Sequence, residues 1–303
     1  MEGLVMDTGA DMTGSLDGDA TKIMYVDSGA WDTSRFTGKD APLVDMNEFP
    51  SWILHEDGDV LVMNKPGWLV CHPSKNGPFS SLIGAAKEYL GVENLHLVSR
   101  LDRETSGIVL VAKHRRSASQ YQRAIEDRRV EKQYLAWICG RLESAQDINQ
   151  PLARDNDSLV HVKQTVRSSR SAQKARTVFD PVAWSRDGRL TLCRVTLHTG
   201  RKHQIRVHAR WMGYPVYGDK LYGPDETCYL DFVEQGWTPE MDKLLGFPRQ
   251  ALHAWRMSFH GVEYPSVFEA PLPVDLAELM SRMWNSDWKD GSWWANRAVE
   301  SPA

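Results

Sequence analysis

Three segments carry residue types whose chemistry goes beyond packing: RLDRETSG around Asp102, EKQYLAW around Tyr134, and HTGRKHQIRVH around Arg206. A carboxylate can act as a nucleophile or stabilise a developing cation. A tyrosine can stack on a flat ring and move a proton. A guanidinium can hold a carboxylate or a phosphate through two parallel hydrogen bonds. Each segment also has a plainer reading. Asp102 fits a turn or helix-capping aspartate, and Tyr134 fits the aromatic core of a strand. Lys202, Arg206 and Arg210, spaced by four, fit a solvated helix face. His198, His203 and His208 recur every five residues with His253 downstream, but no HExxH accompanies them and that spacing does not gather three rings. No metal site is expected.

The elements that must position these residues are legible from apolar periodicity. WILHEDGDVLVMNKPG reads as two short strands about the EDGD turn, closed by Lys65-Pro66-Gly67. FSSLIGAAKEYLG places Leu82, Ile83, Ala86 and Leu90 on one side of a short helix with a serine start and Gly91 as its stop. LHLVSRLDRETSGIVLVAK has apolar runs on either side of a polar turn in which Gly107 supplies backbone freedom. A helix follows in SASQYQRAIEDR. In the strand VEKQYLAWICG, Tyr134 shares a face with Lys132, Ala136 and Ile138. TLCRVTLHTG predicts another strand and RKHQIRVHARWMG the helix after it. Strands and helices alternate without a strict βαβ rhythm, so the expected class is α+β with a mixed, mainly antiparallel sheet and flanking helices.

With 303 residues, 42% hydrophobic and 25% charged, the chain can bury a sizeable core. No run approaches the ~18 consecutive apolar residues of a membrane helix. Its four cysteines stand far apart with no CxxC pair, which fits a reducing, cytoplasmic setting. The net charge of −4 hides an asymmetry: residues 1–50 hold ten acidic and three basic groups, and the other 253 hold 33 basic and 30 acidic. The leader lacks apolar period, so residues 1–45 are expected to form a flexible acidic arm. Residues 46–280 are expected to form the main domain and 281–303 a Trp-rich tail. In that tail Trp284 and Trp288 fall four apart on a helix that packs against the sheet.

Taken together, the order strand, RLDRxTSG, strand, helix, KxYLAxxxG, then GRKHQIRVH and GYPVYGD resembles the RluA-type pseudouridine synthases, which isomerise uridine in RNA. The resemblance runs from about Trp52 to Leu272 and includes LHAWRMSF and FEAPLP. It implies the pseudouridine synthase fold and an isomerase that needs no cofactor. By this resemblance Asp102 is the catalytic carboxylate, Arg206 its guanidinium partner and Tyr134 the residue that stacks on an everted uracil. Arg100 matches an arginine that fills the space the flipped nucleotide leaves, with a phosphate contact as the alternative. Arg103, Thr105, Arg201, Lys202, His203 and Ile205 complete the expected substrate-binding set, His203 as a hydrogen-bonding residue near the RNA.

Segments 97–134, 154–176 and 194–220 hold nine, six and six basic residues against five, two and one acidic ones, so an RNA grip is expected there. Within them, VKQTVRSSRSAQKAR is read as a flexible loop that orders on phosphate. Two departures stand out: Ser99 occupies the place of a histidine usual before RLD, and Gly261-Val262 replaces a His-Pro pair. The expected partner is a compact stem-loop of ribosomal or transfer RNA, bound by a monomer with no membrane partner. A non-catalytic RNA-binding assembly factor or chaperone on the same fold is the alternative. A glycosidase-like hydrolase would need a second carboxylate, for which Glu104 is the candidate.

Overall fold

A computed structural model describes residues 31–39, 42–72, 77–262 and 266–284. In chain order its strands are β1 (Ile53–Glu56), β2 (Val60–Lys65), β3 (His96–Leu97), β4 (Ser106–Ala112), β5 (Val130–Cys139), β6 (Gln146–Ile148), β7 (Leu152–Arg154), β8 (Gln164–Val166), β9 (Thr177–Trp184), β10 (Leu190–Leu197), β11 (Leu252–Phe259) and β12 (Val267–Glu269). The helices are α1 (Leu82–Leu90), α2 (Arg115–Glu126), α3 (Gln204–Trp211), α4 (Thr227–Gln235), α5 (Pro239–Leu245) and α6 (Val274–Met283).

Ten strands form one sheet in the order β1-β2-β4-β11-β5-β10-β9-β6, with β3 added to β4 and β12 to β11. β7 and β8 form a separate hairpin. The sheet is mixed and mainly antiparallel, as the sequence predicts. Its parallel contact is the junction of β4 and β11, where Ser106 and Gly107 pair with His253 and Ala254. Gly107 adopts φ +112°, and a Cβ there would lie 2.3 Å from the carbonyl oxygen of Ala254. The expected glycine freedom is thus required twice, by the left-handed backbone and by the close approach of β11.

Alternation decides what covers each side of the sheet. Ile108, Leu110 and Ala112 of β4 pack with Tyr121 and Ala124 of α2. Val109 and Val111, pointing the other way, pack with Leu82, Ala85 and Ala86 of α1. Across the junction, Tyr134, Ala136 and Ile138 of β5 meet Ile205 and Ala209 of α3, while Leu135 and Trp137 meet Leu276, Leu279 and Met280 of α6. Side chains of this size contribute roughly 1.5–3 kcal/mol each when fully buried. Across the junction Gly107, Ala254 and Tyr134 are register partners, and Leu101 of the loop before β4 packs against both the α1 and the α3 clusters. α1 ends as read: the Ser81 hydroxyl accepts the Gly84 N–H at 3.2 Å, and Gly91 turns left-handed after the last turn.

Two expectations are corrected. Within the leader expected to be an arm, Trp31 donates its indole N–H to the Gly246 carbonyl at 2.9 Å and meets Phe247 edge-on at 4.9 Å. Phe36 and Val44 are buried in the core shared with α1 and α4. These three residues bury singly, without a helical or strand period, which is why periodicity overlooks them. Residues 1–30 lie outside the described residues. At the other end α6 crosses the expected boundary at residue 280, and the chain turns extended at Trp284, which is itself buried. Trp284 thus caps the helix rather than continuing it, while Trp288, Trp293 and Trp294 lie outside the described residues.

Because Trp31 is an anchor, Trp31→Ala is expected to lower stability by about 3 kcal/mol in urea unfolding. An unchanged midpoint would mean that the segment contributes nothing to the folded domain.

Candidate active site

The loop from Val98 to Thr105 joins β3 to β4 and enters the sheet at the two-residue parallel junction with β11. Three devices shape it. The Thr105 N–H returns to the Asp102 carbonyl at 3.1 Å, closing a tight turn. Ser99 accepts the Leu110 N–H at 3.4 Å, so the residue standing in place of the expected histidine ties the loop to β4. Beneath the turn the fully buried Lys65 ammonium donates to the carbonyls of Pro66, Leu69 and Arg103 at 2.8, 2.7 and 2.9 Å. Burial lowers the Lys65 pKa to about 7.

Asp102 projects from this turn with 30% of its side chain exposed, and its Oδ2 accepts Arg206 Nη1 at 2.8 Å. Arg206 rises from the first turn of α3 and is almost wholly buried. Its orientation is set on the far side by Asp219, which takes Nε at 2.6 Å and Nη2 at 2.8 Å. Asp219 is fully buried and is held in turn by the N–H groups of Leu221 and Tyr222 at 2.9 and 3.0 Å. The Tyr222 ring lies against the guanidinium, 4.9 Å from Cζ to centroid. A lysine could not bridge two carboxylates in this fixed plane.

Electrostatics follow from that geometry. Burial pushes the Asp102 pKa up, but His203, Arg206 and the hydrogen bonds from Arg206 and Gln250 outweigh it, so the carboxyl stays below its usual range. Asp219 is lowered likewise, against burial, by Arg206 and its backbone donors. His203 is pushed down to about 4 by burial and by the Arg206 charge, so it is neutral near pH 7 and Arg206 supplies the standing positive charge. The Tyr222 hydroxyl accepts the Gln164 N–H at 2.9 Å and lies 2.8 Å from His203 Nδ1. On its other side His203 Nε2 lies 3.9 Å from Asp102 Oδ2. His203 reaches this position through a left-handed backbone, φ +56°. One guanidinium thus stands between two carboxylates, Asp219 fully buried and Asp102 partly exposed.

Tyr134 stands on β5 opposite Val195 and Ala254, in the cluster that also receives Leu101 of the loop. Its hydroxyl has no hydrogen-bond partner among the described residues. Burial, with Asp102 and Cys71 nearby, raises its pKa far above the usual phenol value, so it remains protonated at neutral pH. The structure thus brings together Asp102, Tyr134, Arg206 and His203. Arg100 is exposed at the rim, its Nη1 3.0 Å from His72 Nε2. Arg201 and Lys202 are exposed just before α3, and Arg201 Nε donates to the Lys174 carbonyl at 3.1 Å.

Three members of the expected substrate-binding set are structural. Arg103 ties the carbonyls of Trp68 and Gly38 at 3.2 and 2.6 Å, which fastens the loop to the anchored leader. Thr105 is buried and accepts Gln250 Nε2 at 2.6 Å. Ile205 is a core residue under Tyr134. Their neighbours in sequence belong to the site; a turn or a helix necessarily directs adjacent side chains differently. Glu104 is no second catalytic carboxylate, because the buried Lys220 ammonium holds it at 2.7 Å.

The basic stretch after Val162 is more ordered than expected: β8 lies within it, Arg167 pairs with Asp157 at 2.6 Å, and Arg176 binds both oxygens of Asp147. Sequence reading passes over Asp219 and Lys65. The signal for Asp219 is indirect: a buried arginine shared with a partly exposed carboxylate needs a second, buried counter-charge. Lys65 looks like an ordinary turn residue until its three carbonyl partners, up to 38 positions away, are known.

Known proteins resemble this chain over most of its length. A family model described as RNA pseudouridylate synthase matches residues 59–211. An uncharacterized RNA pseudouridine synthase of Bacillus subtilis, YjbO, is 37% identical over 238 residues, covering 76% of each chain. A ribosomal large subunit pseudouridine synthase D of Nitrosomonas europaea is 31% identical over 245 residues, 78% of this chain and 66% of that protein. Among solved structures, human RNA Pseudouridylate Synthase Domain Containing 4 superposes with a TM-score of 0.60 at 27% identity, covering 79% of this chain and 97% of that one. With the matched segment spanning half of its length and such relatives covering three quarters of it, the chain belongs to the RNA pseudouridylate synthase family.

Proposed function

We propose that this pseudouridine synthase acts on uridines in compact stem-loops of ribosomal or transfer RNA, with Asp102 as its reacting carboxylate. The reaction class is that of the family: the C1′–N1 bond breaks, the uracil turns, C5 joins C1′, and the C5 proton is lost while N1 gains one. Pseudouridine is an isomer of uridine, so the overall reaction consumes and releases nothing else. The observation that carries the assignment of Asp102 is its hydrogen bond to Arg206, itself fixed by buried Asp219. That arrangement keeps a carboxylate ionised in a partly desolvated site.

Tyr134 supplies the surface on which an everted uracil stacks, and its unpartnered hydroxyl relays the C5 proton late in the reaction. Eversion costs a few kcal/mol, which stacking and phosphate contacts offset. The grip comes from Arg100, Arg154, Arg170, Lys174, Arg201 and Lys202, all exposed around the loop, the β7–β8 hairpin and the start of α3. The relatives named for the ribosomal large subunit favour ribosomal RNA as the substrate. No described helix is long and apolar enough to cross a membrane. Catalysis distinguishes this reading from a binding-only assembly factor, which would have no use for an ionised carboxylate held by a buried guanidinium.

Pseudouridine mapping of total RNA from cells with and without the protein is expected to show at least one site lost with it. No lost site, with no tritium released from 5-tritiated uridine in that RNA, would overturn the reading.

Tyr134→Phe is expected to keep RNA affinity and lose turnover by about 100-fold or more. Equal turnover of the two proteins would remove the hydroxyl from the proton path.

The pH profile tests the charges. Because the Asp102 pKa is lowered, its ionised form is complete at neutral pH and is lost only as pH falls through that lowered value. His203, pushed to about 4, does not titrate above pH 5. The log of kcat/KM is therefore expected to be flat from pH 5 to about pH 6, below the range in which Lys65, with its pKa of about 7, titrates, and an acidic limb between 5 and 6 would contradict this assignment.

A further inference from the structure

Lys132 lies two residues before Tyr134 on β5, and strand alternation puts both side chains on the same face of the sheet. Across the ladder it pairs with Leu197 of β10 on one side and Met257 of β11 on the other. Both neighbours are apolar. Lys132 is half-buried and, among the described residues, has neither an ion pair nor a hydrogen bond for its ammonium. Other lysines drawn into this domain are matched: Lys65 by three carbonyls, Lys220 by Glu104 and the Pro248 carbonyl, and Lys163 by Glu226.

An ammonium held among apolar groups without an acceptor is costly in the free protein, and burial lowers the Lys132 pKa, with no nearby charge to offset it. A ligand that brings an anion to this point recovers that cost. The successive side chains of one strand face are about 7 Å apart, which is close to the spacing between neighbouring phosphates along a nucleic-acid strand. A base stacked on Tyr134 therefore brings the backbone of its own strand past Lys132.

We infer that Lys132 binds a phosphodiester of the RNA strand beside the everted nucleotide and so holds that nucleotide in register with Asp102. This rests on the RNA-modifying activity of the family and on the proposed seating of the base at Tyr134. Lys132 touches the backbone and not the reacting atoms, so it is a binding residue whose loss is felt in recognition. The strongly hydrated exposed lysines and arginines at the rim can act at many registers. Lys132, fixed by the sheet and partly dehydrated, acts at one.

The test compares wild type with Lys132→Met, Lys132→Gln and Lys132→Arg by tritium release from 5-tritiated total RNA of cells lacking the protein, at several salt concentrations. Thermal melts confirm that each variant is folded, and the glutamine variant serves if the methionine variant is not. Wild-type release establishes that the reaction is being read; its absence would overturn the proposed activity itself, and this inference with it. Against an active wild type, the neutral variants are expected to raise KM about tenfold with kcat within about twofold. Their plot of log kcat/KM against log salt is expected to be shallower by about 0.7, the loss of one phosphate contact on a single strand. Lys132→Arg is expected to restore both. An unchanged salt slope, or a fall in kcat at constant KM, would overturn the phosphate assignment.

Discussion

Arg206 joins two carboxylates of different kinds: Asp219 is sealed in the core, and Asp102 is partly exposed. The buried pair orients the exposed one. Removing Asp219 would leave Arg206 free to swing and would strip the reacting carboxylate of its fixed partner; removing Arg206 would leave two adjacent carboxylates, one of them buried without compensation. The surroundings serve the same interaction. Tyr222 covers the guanidinium and hydrogen-bonds His203, and the backbone at Leu221 and Tyr222 satisfies Asp219.

The sheet explains how residues more than a hundred positions apart reach this arrangement. β4 and β11 touch over two residue pairs, with β3 and β12 completing their free edges further along. The loop carrying Asp102 enters at that narrow seam, where Gly107 permits the close approach of β11. Lys65 holds the loop from below, Arg103 fastens it to the packed leader and Lys220 holds Glu104. The loop that carries Asp102 is thereby held from three sides, in keeping with loops that carry function on a fixed scaffold.

Much of this is written locally in the chain. The Ser81 start and Gly91 stop of α1, the alternation of β5 and the need for glycine at 107 follow from turn chemistry and period. Asp102, Tyr134 and Arg206 are legible through their motifs. Non-local partnerships are not. Asp219 and Lys65 become significant only when the fold closes, and the roles of Arg103, Thr105 and Ile205 depend on directions that a motif does not encode. The leader shows the complementary limit: Trp31, Phe36 and Val44 bury one at a time, so composition marks the segment as free while three contacts fix its second part.

Asp102→Asn offers the most direct measurement, since it removes the charge while nearly preserving size and the loop. The account predicts that tritium release from 5-tritiated RNA falls below detection while the thermal midpoint and RNA affinity stay close to wild type. Turnover persisting in the folded variant would contradict the claim that an ionised carboxylate held by Arg206 performs the chemistry.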